Sequence, residues 1–260
     1  MGDRGRQSAE PVTIIPAWPP GHALRHFKEI DSTNEEARRL AAAGVQGPLW
    51  ILADRQSKGR GRRGREWHSL AGNLYATLLL NPVSRIAQCA QLSFVAALAV
   101  GDLVARYAPL AVPELKWPND VLADGRKIAG ILLETSGMDA GAPDWLAIGF
   151  GVNLVWYPAD AEFPAISLLA VNAHPPVPRD ALAHLAAHWL EWYHVWEARG
   201  FPPIRDAWMA RAARLGERIR ARLPGGEAVG VFEGIDETGA LLLRESRNRL
   251  RTIAAADVFL

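Results

Sequence analysis

The chain has 260 residues, 49% of them hydrophobic, which is enough for one large domain or for a main domain with a small companion. Ten tryptophans and 22% charged residues are typical of a folded protein and exclude general disorder. Lysine and arginine total 29 against 28 acidic residues, so the net charge of +1 excludes a broad attraction to nucleic acid or to anionic lipid.

The first part of the chain, residues 1–24, is predicted to be a flexible tail because it is rich in glycine, proline and charged residues. It lacks the apolar core of a secretory signal, and no run of about 18 apolar residues follows, so we expect a cytoplasmic protein without a membrane partner. Cys89 is the only cysteine and lies in an apolar stretch, which predicts a small buried side chain.

Beyond the tail, hydrophobic spacing predicts a mixture of helices and strands. Helices are predicted at Asn34–Ala43 and Ile86–Tyr107, and strands at Trp50–Ala53, Asn73–Leu80, Glu114–Trp117, Val121–Leu122, Lys127–Thr135 and Trp145–Asn153. The last four strands follow one another so closely that we expect antiparallel pairing.

The Asp124-Gly125 pair is a two-residue hairpin signal, because both central positions of a type I′ turn need a positive φ. From this hairpin we expect Lys116 and Lys127 to lie on adjacent antiparallel strands. Both lysines stand in apolar sequence, where an ammonium group is costly without an anionic partner. A structural salt bridge to Asp120 or Glu134 is an equally good explanation of their presence.

The C-terminal part is predicted to begin with two helices, at residues 180–199 and 202–215, separated by Gly200-Phe201-Pro202-Pro203. After residue 216 short strands alternate with glycine turns, which predicts a small β-barrel and a domain boundary near residue 215. His184 and His188 are four residues apart but lack the glutamate of a zinc-binding helix. We expect both on the helix surface, and we assign no metal ligands.

The segment Lys58–Trp67, KGRGRRGREW, is the most unusual stretch of the sequence. Its three glycines have the G-x-G-x-x-G spacing, but a predicted strand follows instead of a helix, which argues against a dinucleotide fold. Glycines let a backbone approach a ligand, and arginines match phosphate and carboxylate oxygens. The loop therefore suits a small polyanion, with a solvated basic loop and an RNA-contacting loop as alternatives.

Three further segments complete a pattern with this loop: KWPND at 116–120, KIAGILLE at 127–134 and GFGVNL at 149–154. In order and spacing, the four motifs resemble those of bacterial biotin protein ligases, and the similarity runs from about Phe27 to the C-terminus. Lys58 departs from the family pattern, in which a small residue is common. The resemblance implies an α+β fold: a mixed, mainly antiparallel sheet backed by helices, as in class II synthetases, with a small C-terminal SH3-like β-barrel. It implies the domains 25–215 (catalytic) and 216–260 (C-terminal).

In that family biotin and ATP form biotinyl-5′-AMP and pyrophosphate, and a lysine of the biotin carboxyl carrier protein then receives biotin. The resemblance therefore implies ATP, biotin and Mg²⁺ as small molecules and the carrier protein as partner. Many members carry an N-terminal helix-turn-helix domain. Only about 25 residues precede the similarity here, so we expect no specific DNA partner. Exposed strand edges are compatible with a homodimer.

The resemblance also implies roles for individual residues. Catalysis is assigned to Arg62, Lys116 and Lys127. Biotin binding is assigned to Ser32, Thr33, Asn34, Gln56, Gly59, Arg60, Lys127, Gly130, Gly149 and Gly151. Binding of ATP or the adenylate is assigned to Arg60, Arg62, Arg63, Arg65, Trp67, Asn119 and Asn153.

Several alternatives stay open. Residues 32–36 fit a helix-capping box equally well, in which a side chain caps the backbone at the start of the helix. Trp67 fits a core residue as an alternative to a ligand contact. A sister ligase that attaches lipoate or octanoate needs similar charges. A nucleic-acid-binding protein that uses the basic loop is the rival of another class.

Overall fold

The computed structural model describes residues 15–81, 86–136, 143–171 and 173–260. Of the predicted tail, residues 1–14 lie outside the described residues. Within the rest of that segment, Trp18 packs edge-on against Trp50, with 6.4 Å between the ring centroids, and the first strand begins at Ala23.

Four helices and twelve strands form in the part of the chain that the structure describes, in the order that the sequence predicts. The helices are α1 Thr33–Ala42, α2 Ile86–Tyr107, α3 Pro178–Arg199 and α4 Phe201–Met209. The strands of the first sheet are β1 Ala23–Phe27, β2 Leu49–Ala53, β3 Leu74–Leu80, β4 Pro113–Lys116, β5 Asp120–Ala123, β6 Arg126–Thr135 and β7 Leu146–Val152. Those of the second sheet are β8 Arg218–Leu223, β9 Gly226–Ile235, β10 Leu241–Arg244, β11 Leu250–Ile253 and β12 Asp257–Phe259.

The first sheet has seven strands in the order β1-β2-β3-β7-β6-β5-β4. Only β1 and β2 pair in parallel, and every other neighbouring pair is antiparallel. The predicted Asp124-Gly125 turn joins β5 to β6 with φ values of 50° and 69°, as a type I′ hairpin requires. The second sheet has five antiparallel strands in the order β11-β10-β9-β8-β12. The predicted α+β class is confirmed, whereas the exact domain boundary near residue 215 stays a prediction.

Helix α3 ends at Arg199 as predicted but begins two residues earlier, and α4 differs from its predicted range at both ends. Gly200, with φ 70°, is the single residue between α3 and α4, and the two prolines that were expected to separate the helices lie in the first turn of α4. A first turn tolerates proline because its N–H groups have no partner within the helix. The helix predicted up to residue 215 ends at Met209, because residues 211–213 instead hydrogen-bond to Leu115 and cover the outer edge of β4.

The seven-stranded sheet is covered by helices on both faces. Alternate residues of each strand point to opposite faces, so Trp50 and Phe150 pack towards α2 and α3, whereas Ile51 and Ala147 pack towards α1. α1 is short and covers only part of its face. The remaining surface on the α1 side, next to β6 and β7, is where a ligand has room.

Helix α2 contains one stretch, Gln88–Tyr107, that is long and apolar enough to cross a membrane by length and composition. Two thirds of it (67%) is buried inside the fold, where α2 packs against α3, α4 and several strands. Such burial is typical of a core helix. Cys89 is buried in this helix, as the sequence predicts, and burial raises the pKa of its thiol.

An aromatic cluster joins the two sheets. The indole of Trp208 in α4 contacts Phe94 of α2 at 5.5 Å and Phe232 of β9 at 6.5 Å between ring centroids. Nearby, Trp117 donates a hydrogen bond from Nε1 to the carbonyl oxygen of Gly239, 2.9 Å away, in the turn between β9 and β10. The second sheet is therefore fixed to the segment that follows β4.

Trp208→Ala is expected to lower the free energy of unfolding by about 3–5 kcal/mol, because it empties a buried aromatic site between two sheets. Chemical denaturation followed by circular dichroism measures the change. Leu110→Ala is the control, since Leu110 is 97% exposed and its truncation is expected to shift stability by no more than about 0.5 kcal/mol. A loss in the Trp208 variant as small as in the control would contradict the packing.

Candidate active site

A cavity of about 370 Å³ lies on the α1 side of the seven-stranded sheet. Most of the predicted site residues line it: Ser32, Thr33, Asn34, Gln56, Arg60, Arg62, Arg65, Trp67, Asn119, Lys127, Gly130, Gly149, Gly151 and Asn153. Residues separated by up to 121 positions in the chain thus share one cavity, which has the size and concavity of a small-molecule site. Three predicted residues, Gly59, Arg63 and Lys116, do not line it.

Glycines form the floor of the cavity for a reason visible in the strand register. Gly149 and Gly151 occupy alternate positions of β7, and Gly130 of β6 pairs directly with Gly151, so all three face the cavity. A Cβ atom on Gly151 would lie 2.5 Å from Cε2 of Trp67, and one on Gly149 would lie 2.3 Å from Oδ1 of Asn34. The glycines therefore make room for the indole and the amide that form the cavity wall.

Lys127 reaches the same face because of an irregularity in β6. The pairing of β5 with β6 shifts register between Val121 and Leu122, which places Lys127 and Ile128 together opposite one strand position. The shift leaves Ile128 in the core and turns Lys127 towards the cavity, where its Nζ lies 3.3 Å from the position of a Cβ on Gly130. Without the bulge, residues 127 and 130 would face opposite sides of the sheet.

The expectation that Lys116 and Lys127 lie on adjacent strands is wrong. Lys116 ends β4 and Lys127 stands near the start of β6, and β5 lies between them. The segment predicted as the short strand Val121–Leu122 is a full strand that begins at Asp120, and it pairs with both neighbours. This insertion puts a carboxylate between the two ammonium groups.

Asp120 is the shared counter-ion of the two lysines. Its Oδ1 lies 2.6 Å from Nζ of Lys127, and its Oδ2 lies 3.9 Å from Nζ of Lys116. Lys116 is only 5% exposed, and its ammonium group also lies 3.8 Å from the centre of the Phe163 ring, which lines the cavity. Burial lowers the pKa of Lys116 to about 8, while the charge of Asp120 opposes that effect. The salt-bridge explanation left open by the sequence thus holds for Asp120.

The arginine loop, Gly59–Arg65, is an ordered hairpin in this structure. Gly61 donates a backbone hydrogen bond to the carbonyl oxygen of Arg65 at 2.7 Å, and Trp67 donates one to that of Gly59 at 2.9 Å. Arg63 has φ 56° at the tip of the turn. A Cβ on Gly59 would lie 2.3 Å from the carbonyl oxygen of Trp67, so this glycine is required by the loop's own backbone.

The last strand of the chain anchors two of the four loop arginines. Asp257 of β12, 6% exposed, accepts hydrogen bonds from Nη1 of Arg63 and from Nη2 of Arg65, both at 2.9 Å. Arg60 instead pairs with Glu35 at 3.1 Å and with Glu134 at 3.4 Å. Each of these arginines is therefore held by a carboxylate.

Arg62 differs from the other loop arginines. Among the described residues its Nη1 donates to Oδ1 of Asn119 at 3.3 Å and to the carbonyl oxygen of Ala256 at 3.4 Å, and no carboxylate lies within salt-bridge distance. Burial lowers the pKa of Arg62, so its charged form is poorly compensated where it stands. An anion that enters the cavity would therefore supply the counter-charge that Arg62 lacks.

The start of α1 forms a polar wall of the cavity. Oε1 of Gln56 accepts hydrogen bonds from the backbone N–H and the hydroxyl of Thr33, at 2.8 and 3.1 Å. Asn34 donates from Nδ2 to Oε2 of Glu134 at 2.8 Å, and its Oδ1 accepts from Thr77 at 2.6 Å. Ser32 makes no side-chain capping hydrogen bond, so the capping-box alternative is wrong. These side chains are instead buried at the cavity and fixed by one another.

Trp67 and the two asparagines combine structural and cavity contacts. The indole lies on the glycine floor, and its Nε1–H is buried without a hydrogen-bond acceptor among the described residues. Nδ2 of Asn119 donates to the carbonyl oxygen of Ile131 at 2.6 Å, and that of Asn153 donates to Ile166 at 3.0 Å. The asparagine amides are therefore partly occupied by the protein, whereas the indole N–H is a buried donor without a partner among the described residues.

The important residues that the sequence did not suggest are acidic. Asp120 and Glu134 appeared only as possible salt-bridge partners, although both lie inside the recognised motifs. Glu162 lines the cavity and pairs with Arg65 at 3.1 Å. Asp257 lies about 190 positions after the arginine loop, and no local sequence pattern predicts its ion pair with that loop.

The two helix histidines are not both on the surface. His184 is buried, and its Nδ1 lies 2.9 Å from the hydroxyl of Tyr107 in α2, so its expected surface position is wrong. His188 is partly exposed, with Nδ1 3.4 Å from Glu191. Within the described residues no group of three or more His, Cys, Asp or Glu side chains is placed to hold a metal ion.

Similarity to known proteins extends over most of the chain. Residues 26–153 match the biotin/lipoate A/B protein ligase family, and residues 215–260 match the biotin protein ligase C terminal domain. The chain is 48% identical to the biotin–[acetyl-CoA-carboxylase] ligase of Paracoccus denitrificans, across 88% of this chain and 97% of that protein. It is 34% identical to the ligase of the same name from Mycobacterium tuberculosis, across 88% and 86%.

Among solved structures, the biotin protein ligase from Aquifex aeolicus in complex with biotin and ATP is similar in fold. The TM-score is 0.78 at 29% sequence identity, over 91% of this chain and 97% of that one.

Lys116 provides a test of the site's electrostatics. Its pKa falls from 10.5 to about 8 on folding, so the unfolded chain binds the proton more tightly than the folded protein does. The free energy of unfolding therefore rises with pH between about pH 8 and pH 10.5. We expect wild type to gain about 2 kcal/mol relative to Lys116→Met between about pH 7 and pH 10.

Denaturant unfolding across that pH range measures the difference. Lys28→Met, at an exposed lysine, controls for the loss of a positive charge. Parallel pH curves for wild type and Lys116→Met would show that Lys116 is not desolvated.

Proposed function

The chain belongs to the biotin/lipoate A/B protein ligase family, and on that premise we propose that it forms biotinyl-5′-AMP from biotin and ATP and transfers biotin to a carrier-protein lysine. It is an ATP-dependent ligase, in agreement with its named relatives. The single observation that carries the proposal is that Lys127 and Arg62 meet at one cavity, with Lys116 behind Asp120 and Phe163 and with Arg62 unpaired by any carboxylate of the described residues.

In the first step an oxygen of the biotin carboxylate attacks the α-phosphorus of ATP. A new C(O)–O–P linkage forms, the bond from the α-phosphorus to the bridging oxygen breaks, and pyrophosphate leaves with the electron pair. Two anions must approach each other while charge develops on phosphate. Lys127 and Arg62 offset this repulsion, and Lys116 adds its field from behind Asp120 and Phe163.

In the second step the neutral amine of the acceptor lysine attacks the acyl carbon. The anhydride C–O bond breaks, AMP leaves, and the amine's proton passes to water. No covalent enzyme nucleophile is needed, because the adenylate already activates the acyl group. We propose the biotin carboxyl carrier protein of acetyl-CoA carboxylase as the acceptor, from the names of the relatives.

The proposed biotin side of the cavity is the start of α1. Ser32, Thr33 and Asn34 are buried there and offer hydroxyl and amide groups to the ureido ring, while Gln56 fixes Thr33. Gly149 contributes by admitting the Asn34 amide. The carboxylate end then points towards Lys127 and the arginine loop.

The proposed nucleotide side lies towards Asn119 and Asn153, with Arg62 and Arg65 on the phosphates. Trp67 stands between the two sides on Gly130 and Gly151, where the face of its indole ring is proposed to lie against the adenylate.

Arg60 reaches the same region once a ligand competes with Glu35 and Glu134. We assign Gly59 and Arg63 to the shape and anchoring of the loop rather than to ligand contact.

Mg²⁺ belongs to the proposal as the ion that accompanies ATP. Mg²⁺ keeps most of its water and binds through one or two carboxylates together with substrate phosphates, so it does not require a cage of protein ligands. Asp160 lines the cavity and is the carboxylate that would hold such an ion, because Asp120 and Glu162, which also line it, are already paired with lysines and arginines. When bound, the ion neutralises phosphate charge.

We also propose a cytoplasmic location, where ATP is available. A homodimer remains part of the proposal, because β1 has no strand on its outer edge among the described residues. Light scattering after size-exclusion chromatography measures the oligomeric state, and a monomer at all concentrations would remove this element of the proposal.

The acid specificity is testable by isotope exchange between pyrophosphate and ATP. We expect exchange that depends on biotin, with lipoate and octanoate giving at most background. Exchange with lipoate alone would assign the protein to the lipoate branch of the family. Tight, strongly salt-dependent RNA binding without any exchange would favour the nucleic-acid alternative.

Arg62→Ala and Lys127→Ala are each expected to lower the rate of adenylate formation by about 10²–10³-fold, because each removes a cation from the reacting phosphate. The free energy of unfolding is expected to change by no more than about 1 kcal/mol in Arg62→Ala, which breaks no ion pair among the described residues. Lys127→Ala is expected to cost more, because it leaves the buried Asp120 with only Lys116 at 3.9 Å. Arg126→Ala is the matched control: Arg126 precedes Lys127 in β6 but faces Asp124 in the hairpin turn. If the loss of activity disappears once the rate is corrected for the fraction of folded protein, Arg62 and Lys127 have only a structural role.

A further inference from the structure

A chain of charged groups extends from the mouth of the cavity to the second sheet. Glu162, which lines the cavity, accepts a hydrogen bond from Nη1 of Arg65 at 3.1 Å and forms an ion pair with Nη2 of Arg222 at 3.0 Å. Arg222 belongs to β8 and pairs in register with Asp257 of β12, the residue that also holds Arg65. A guanidinium group of the arginine loop and one of the second sheet thus meet at one carboxylate beside the cavity.

Aromatic contacts fix the position of Arg222. Its guanidinium lies 4.3 Å from the centre of the Phe259 ring, and Phe259 packs against Phe163 at 5.0 Å between centroids. Phe163 lines the cavity and carries the ammonium group of Lys116 at 3.8 Å from its own ring. Arg222 is therefore separated from Lys116 by the Phe259 and Phe163 rings.

In the proposed function, Lys127 and Arg62 act on the reacting α-phosphate, and Lys116 adds its charge from behind Phe163. Arg65, also assigned to phosphate, lies beside the Phe163 ring, with 5.9 Å between its guanidinium carbon and the ring centre. The β- and γ-phosphates must extend beyond the reacting phosphate, and Arg222 stands next to Arg65 at Glu162. One guanidinium group can donate two parallel hydrogen bonds to the oxygens of a phosphate, which makes these two arginines suitable for binding the outer phosphates.

We propose that Arg222 of the second sheet joins Arg65 in binding the β- and γ-phosphates of ATP and the pyrophosphate product, with Glu162 holding both arginines in place before the nucleotide binds. This inference rests on the proposed function. The side chain of Glu162 is 42% exposed, so breaking its ion pairs costs little. Asp257 is buried and keeps Arg65 anchored when Glu162 moves away.

Arg222→Ala is expected to weaken the binding of inorganic pyrophosphate and of ATP by about tenfold, the effect of losing one charged hydrogen-bond donor. Binding of AMP and of biotin is expected to be unchanged, because neither reaches the outer phosphate positions. Isothermal titration with pyrophosphate, ATP, AMP and biotin in turn measures all four affinities. Arg222→Lys, which keeps the charge, is expected to recover part of the loss.

Arg220→Ala is the matched control. Arg220 lies two residues away on β8, and its guanidinium stacks on the same Phe259 ring at 4.8 Å, but its ion pair is with Glu227 at 3.8 Å. It does not contact Glu162. We expect pyrophosphate to bind this variant as it binds the wild type.

Glu162→Gln separates phosphate binding from a purely structural role of Arg222. If Glu162 competes with phosphate for the arginines, its neutralisation tightens pyrophosphate binding, opposite in sign to Arg222→Ala. If the Glu162–Arg222 pair only stabilises the fold, both variants weaken binding together, and the inference is overturned. Equal pyrophosphate affinity in Arg222→Ala and Arg220→Ala overturns it as well.

A different result would contradict the proposed function itself. If the wild-type protein shows no biotin-dependent exchange between pyrophosphate and ATP, the proposed function is wrong. If the wild type is active and Arg222→Ala binds pyrophosphate and ATP as tightly as the wild type does, only the role of Arg222 is wrong.

Discussion

The repulsion between positive charges is the constraint on which this site depends. Lys116, Lys127 and the loop arginines stand at or beside one cavity, where their positive charges repel one another. Carboxylates supply the compensation: Asp120 lies between the lysines, and Asp257 holds two loop arginines. Arg62 has no such partner among the described residues. Its positive charge at the cavity is therefore the one that a bound anion would compensate.

The fold meets this constraint with elements far apart in sequence. A register shift in β6 turns Lys127 towards the cavity, the insertion of β5 brings in Asp120, and β12 of the second sheet supplies Asp257. The aromatic packing of Trp208 between Phe94 of α2 and Phe232 of β9 attaches the second sheet to the rest of the fold. The second sheet therefore contributes directly to the geometry of the arginine loop.

Much of this arrangement could be predicted from the sequence, because hydrophobic periodicity and turn residues act locally. The order of elements and the Asp124-Gly125 hairpin follow from such signals, and the recognised motifs name most residues that line the cavity. The adjacency of Lys116 and Lys127 was misjudged because a two-residue apolar segment did not reveal a full strand. The partnership of Asp257 with the loop depends on tertiary packing across about 190 residues, which no local pattern encodes.

The central claim is that the cation cluster brings biotin and ATP to react on the protein before any acceptor arrives. A rapid-quench experiment with biotin, labelled ATP and no carrier protein tests it directly. The account predicts a burst of one pyrophosphate per protein molecule and a tightly bound labelled adenylate that transfers its biotin when carrier is added. Cleavage of ATP only after addition of the carrier, or release of AMP without a bound acyl-adenylate, would contradict it.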